Sequence, residues 1–86
     1  MSVDTLIQER GRTHGDWSKQ AQCAQSLKNC IRRAQEPIRT LSKGQMEAIE
    51  MVCVKISRIV CGDPNNPDHW TDIIGYATLG KDSPEL

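Results

Sequence analysis

The stretch "GDPNNPDHWTDIIGYATLG", residues 62–80, decides the fold. Gly62 stops an apolar helical run that comes in from residue 43, and "DPNNP" is a turn-forming sequence. Pro67 suits the first position of a new helix, with Asn66 as its cap, and Gly80 closes that helix at about residue 79. Upstream, Met46, Ile49, Cys53, Ile56 and Val60 recur at steps of three and four, with Val52 and Ile59 widening the stripe. Ser42 is the N-cap of this third helix, about 43–61. The loop 62–66 is short enough for the third and fourth helices to form an antiparallel hairpin.

Working outward, the same signals recur. Val3, Leu6 and Ile7 mark a first helix over about 3–11, with Asp4 in its first turn. Gly11 and Gly15 bracket "GRTHG" as a loop, and Asp16 caps a second helix over about 17–35. The apolar or small face of that helix runs Trp17, Ala21, Ala24, Leu27, Ile31 and Ala34, and Pro37 ends it. No segment alternates apolar and polar residues between turn signals, so no strand is expected. The chain reads as all-α, a compact four-helix arrangement. It forms one domain over 1–86, with 80–86 as a flexible tail.

Composition narrows the function. The chain has 86 residues, 37% hydrophobic and 26% charged, with a formal net charge of +0. A domain of this size buries only about 60–65% of its unfolded surface, so self-association is expected. A neutral chain has no long-range field to gather nucleic acid or anionic lipid. A basic cluster of Lys28, Arg32, Arg33, Arg39 and Lys43 near the end of the second helix is what that helix's dipole favours. Direct nucleic-acid binding is therefore not expected. The four cysteines, Cys23, Cys30, Cys53 and Cys61, form no CxxC pair and fall within apolar helical patterns, as buried reduced thiols do. There is no signal-peptide pattern and no run of about 18 apolar residues. The expected location is the cytoplasm, without a membrane.

The carboxylates are the candidate chemistry. Asp68 and Asp72 lie one turn apart on the fourth helix, with Tyr76 and Leu79 continuing the line. Asp68, in the first turn, complements the helix dipole, whereas Asp72 lies beyond that benefit and needs a partner. On the third helix Glu47 and Glu50 sit at i and i+3, and neither has Lys or Arg at i+4. Two readings stay open for Asp72. Four clustered acids suit a hard divalent cation such as Mg²⁺. Alternatively, Asp72 pairs with Lys55 or Arg58, which the hairpin brings opposite it.

Other residues carry weaker signals. In "RTHGDW", Arg10, Arg12 and His14 supply donors beside a helix start, a phosphate-loop arrangement. Capping by Asp16 explains the same residues structurally. His14 and His69 form no metal-ligand spacing. Trp17 and Trp70, each at a helix start, read more readily as core anchors than as stacking platforms.

The segments "RGRTHGDW" and "QMEAIEMVCVKISRIVCGDPNNPDHWTDIIGYATL" resemble a family of small phage and prophage proteins of unassigned function. The shared positions are Arg10, Gly11, Gly15, Asp16, Glu50, Lys55, Arg58, Ile59, Gly62, Asp63, Pro64, Asp68, Trp70, Asp72, Gly75, Tyr76 and Ala77. More distantly, the C-terminal half resembles phage nucleotide-modification-associated proteins and the MazG-like all-α nucleoside triphosphate pyrophosphohydrolases. In the latter an E-x-x-E pair and a second acidic pair hold Mg²⁺ over a triphosphate. That resemblance implies a metal set of Glu47, Glu50, Asp68 and Asp72, with Glu50 and Asp72 catalytic. Arg10, His14, Lys55, Arg58, Trp70 and Tyr76 would contact the nucleotide. The second acidic pair departs from the MazG-like pattern, being spaced i+4 rather than i+3. The expected function is thus nucleotide binding or turnover at a carboxylate-held Mg²⁺. Its rival is a non-catalytic phage accessory protein that binds and modulates a host protein.

Overall fold

A computed structural model describes residues 2–35 and 40–84. Four helices follow in order: α1, Val3–His14; α2, Trp17–Ala34; α3, Lys43–Cys61; and α4, Pro67–Lys81. No strand occurs among the described residues. The all-α expectation holds, and α3 and α4 make the most extensive helix–helix contact, as the hairpin reading requires.

The caps are those the local sequence dictates. The Ser2 hydroxyl accepts the Thr5 N–H, and Asp16 Oδ2 accepts the Lys19 N–H at 3.1 Å. Ser42 and Gln45 form a reciprocal capping box, satisfying two otherwise orphaned donors. Asn66 Oδ1 accepts the Asp68 N–H at 3.0 Å, with Pro67 at the first helical position. The Pro37 stop and Arg39 of the basic cluster lie outside the described residues.

Two helices run further than their sequence punctuation suggests. Helix α1 does not stop at Gly11 but continues to His14, and the break falls at Gly15, whose φ of 86° lies in the region that favours glycine. "GRTHG" is therefore largely helical, which puts Arg10 and His14, four residues apart, on one face. Helix α4 passes through Gly80 to Lys81. Gly80 is a packing residue, since a Cβ there would sit 2.9 Å from the Ala48 Cβ on α3. Residues 82–84 are correspondingly not a free tail: the Ser42 hydroxyl donates to the Ser83 carbonyl, and Ser83 lies against Gly44.

The core is thin. Among the described residues, Ala24, Ala48 and Cys53 are the buried apolar ones, joined by the polar Gln20, Ser42, Lys55, Ser57 and His69. Trp17 and Trp70 are both exposed, at 73% and 53%, so neither anchors the core. Val60 at the end of the α3 seam is also exposed. The cysteines are all unpaired, but only Cys53 is buried, and Cys30 is exposed.

Candidate functional site

The α1–α2 turn and the α3–α4 turn cross at van der Waals contact. A Cβ on Gly15 would overlap the Cys61 carbonyl, and one on Gly62 would overlap the Thr13 carbonyl. Backbone meets backbone here, so only glycine fits at either position. The Thr13 carbonyl accepts two hydrogen bonds from the second turn, from the Asp63 N–H at 3.0 Å and from His69 Nε2–H at 2.8 Å. His69 is 2% exposed, and its ring tilts against His14 with centroids 5.3 Å apart. The two histidines, unrelated by spacing, are thus brought together by the crossing of the turns.

Beside this crossing lies a cleft of about 540 Å³, lined by Ile7, Arg10, Gly11, His14, Gly15, Asp16, Trp17, Gln20 and Arg58. Its size suits a small-molecule ligand. Arg10 and His14 come from one face of α1, Trp17 and the buried Gln20 from the first turn of α2, and Arg58 from the last turn of α3. The Nε of Arg58 is buried and has no hydrogen-bond partner. A buried, unmatched guanidinium N–H is costly, and such groups in folded proteins are almost always satisfied.

Electrostatics reinforce the geometry. His14 is pushed down to about 4 by burial first, and then by electrostatic interaction with Arg58, His69, Lys55 and Arg10. At neutral pH its imidazole is uncharged and surrounded by cations. The one carboxylate on the cleft wall, Asp16, is occupied as the α2 cap.

Two of the carboxylates predicted to hold Mg²⁺ have other partners. Asp72 Oδ2 lies 2.9 Å from Lys55 Nζ, and the Lys55 ammonium, first by its hydrogen bond and then by its charge, holds the Asp72 carboxyl below the usual range. Glu50 lies 3.9 Å from Arg32 on α2, which replaces the absent i+4 cation. Glu47 and Asp68 are solvent-exposed. Among the described residues, no three His, Cys, Asp or Glu side chains group so as to hold a metal ion. Glu47, Glu50, Asp68 and Asp72 are not gathered into one cluster in this structure, and salt bridges from neighbouring helices engage two of them.

Of the residues predicted to contact nucleotide, Arg10, His14 and Arg58 converge on the cleft. Lys55 is buried behind it, close enough to act on His14 but committed to Asp72. Trp70 and Tyr76 do not line the cleft, and the Trp70 indole N–H donates instead to the Pro64 carbonyl at 2.8 Å. Gln20 was not anticipated. Its one sequence signal is a glutamine between Trp17 and Ala24, at helical spacing on the side of α2 that packs inward.

A family model described as a domain of unknown function, DUF6378, matches residues 2–83. The chain belongs to that family. The match spans both turns and every cleft residue, so cleft and crossing both lie within the DUF6378 domain. No curated protein and no solved structure matches the DUF6378 chain. No helix among its described residues is long and apolar enough to cross a membrane.

Proposed function

We propose that this DUF6378 protein binds a nucleotide, or a chemically similar phosphate-bearing aromatic ligand, in the cleft between α1, the head of α2 and the end of α3. The observation that carries the reading is Arg58, whose buried Nε lacks a partner on the wall of a cleft that also presents Arg10. Guanidinium groups match phosphate oxygens in a planar, two-point geometry, and Arg10 and Arg58 both line the cleft. Trp17, exposed at the cleft, offers a face on which a base can stack, worth about 1–3 kcal/mol per base. Neutral His14 can donate to or accept from the ligand without adding charge.

The proposal is binding, not turnover. The resemblance to nucleoside triphosphate pyrophosphohydrolases would call for a carboxylate-held Mg²⁺, and the four acids are not clustered among the described residues.

Thermal unfolding and isothermal titration calorimetry with nucleoside mono-, di- and triphosphates, each with and without Mg²⁺, test the reading. Ligand binding to the folded state raises the unfolding midpoint by mass action. The natural chain is expected to be stabilised by at least one nucleotide. Arg10→Ala and Trp17→Ala, both at exposed positions, should lose that response while keeping their unliganded midpoint. If neither nucleotides nor inorganic phosphate shift the natural chain, the cleft reading fails.

A further inference from the structure

The opposite side of the molecule has a different kind of vacancy. Helices α2 and α4 both pack on α3, with no close backbone approach to one another among the described residues. Between them runs a groove of about 520 Å³, floored by Ile49, Val52 and Ile56 of α3 and walled by Leu27 and Ile31 of α2. Three helices in a layer, with one face of the central helix only half-buried, are a four-helix bundle lacking a helix. Helix α1, which could have filled the position, is held instead at the turn crossing and buries no residue of its own.

The size of the deficit indicates what fills it. A monomeric protein of 9.6 kDa exposes about 5,100 Å², whereas this chain exposes 6311 Å². Its radius of gyration is 14.5 Å, against about 12 Å for a compact domain of this length. This whole-chain excess, to which exposed residues outside the groove such as Val3, Ile7 and Trp17 also contribute, exceeds the roughly 800 Å² that each partner contributes to a standard interface. No Leu, Ile or Val among the described residues is buried, so the shortfall is in the core itself. A partner present only at times would leave the chain marginal whenever it was absent. A second copy is always available, and a chain of formal net charge +0 does not repel itself.

We infer that the protein is a homodimer in which the α2–α3–α4 grooves of two copies close on one another across a twofold axis. The α2 edge of each copy, with Leu27 and Ile31, packs into the groove of the other. The pattern Ile49, Val52, Ile56 supplies the three- and four-residue steps that such a seam needs. This inference stands apart from the nucleotide reading, since the groove and the cleft share no lining residue.

Sedimentation equilibrium of the natural chain at micromolar concentration should give twice the 9.6 kDa chain mass, with an unfolding midpoint that rises with protein concentration. Ile49→Glu should halve that mass while circular dichroism still reports helix. Should Ile49→Glu fail to fold, Leu27→Lys, at the groove wall, is the variant read, with the same expected halving. Ile74→Glu, on the exposed face of α4 outside the groove, should remain dimeric. A monomeric natural chain overturns the inference, as does a folded Ile49→Glu or Leu27→Lys protein that keeps the dimer mass.

Discussion

The two ends of this bundle are built on opposite principles. At one end, two turns cross so closely that no side chain fits between them, and Thr13, Asp63 and His69 tie backbone to backbone. At the other, α2 and α4 stand apart over α3, and Ile49, Val52 and Ile56 line an open groove. The first end is specified by glycines and hydrogen bonds, the second by apolar area that the single chain does not cover. A chain too small for a large core fixes its geometry where backbone contact is available. That fixed end is also where Arg10, His14 and Arg58 converge.

The comparison predicts unequal responses to small changes. Gly15→Ala should be the most damaging, because it adds a Cβ at positive φ that overlaps the Cys61 carbonyl. A loss of about 3–5 kcal/mol, or failure to fold, is expected in urea denaturation. His69→Ala removes a buried ring and one of the two donors to Thr13, and should cost about 2–4 kcal/mol. A cost below about 1 kcal/mol at either position would contradict the brace.

Asp72→Asn leaves the buried Lys55 ammonium without its counter-charge and should lower the unfolding midpoint more than Glu50→Gln, whose 3.9 Å contact is looser and more exposed. Equal effects would mean that the Lys55 contact is no stronger than the surface one.

The pH dependence follows from the same groups. The folded chain holds His14 near 4, below its ordinary value of 6.5, so the unfolded chain binds the extra proton between those values. Stability from this source is complete above about pH 6.5 and is lost as pH falls toward 4. Asp72, held below its ordinary value of 3.8, contributes stability above that pH and loses it on further acidification. His14→Gln should flatten the slope between pH 6.5 and 4 and leave the acid limb in place. The smallest effect is expected at Gly11→Ala, where a Cβ meets nothing within 4 Å on a helical backbone. It should stabilise the chain by about 0.5–1 kcal/mol.

Much of the fold was legible because it rests on local chemistry. Asp16, Ser42, Asn66 and Pro67 are capping signals that act within three residues, and each appears where its sequence puts it. Gly11 and Gly80 misled for one reason. A glycine serves chain reversal or close packing equally well, and only the neighbour, such as Ala48 beside Gly80, separates the two. The site was legible in part. Arg10, His14 and Arg58 are attached to motifs, but the meeting of His14 with His69 depends on how two turns cross, 55 residues apart in the chain. Asp72 was the residue in the 62–80 stretch that needed a partner, and of the alternatives the sequence left open, Lys55 is the one in contact. The exposure of Trp17 ran against its place on an apolar stripe, because α2 turns that position toward the cleft rather than the core.

The central claim is that the cleft beside the turn crossing holds a phosphate-bearing aromatic ligand. Nuclear magnetic resonance titration of the natural chain with a nucleoside triphosphate and, separately, inorganic phosphate tests it at the atoms concerned. Saturable shifts of the Arg58 Nε–H and the Trp17 indole N–H are expected, with His14 titrating at a higher pH once the anion is bound. Phosphate alone should move Arg58 and leave Trp17 unchanged. Unmoved Arg58 and Trp17 signals at millimolar nucleotide, or shifts confined to other helices, would contradict it.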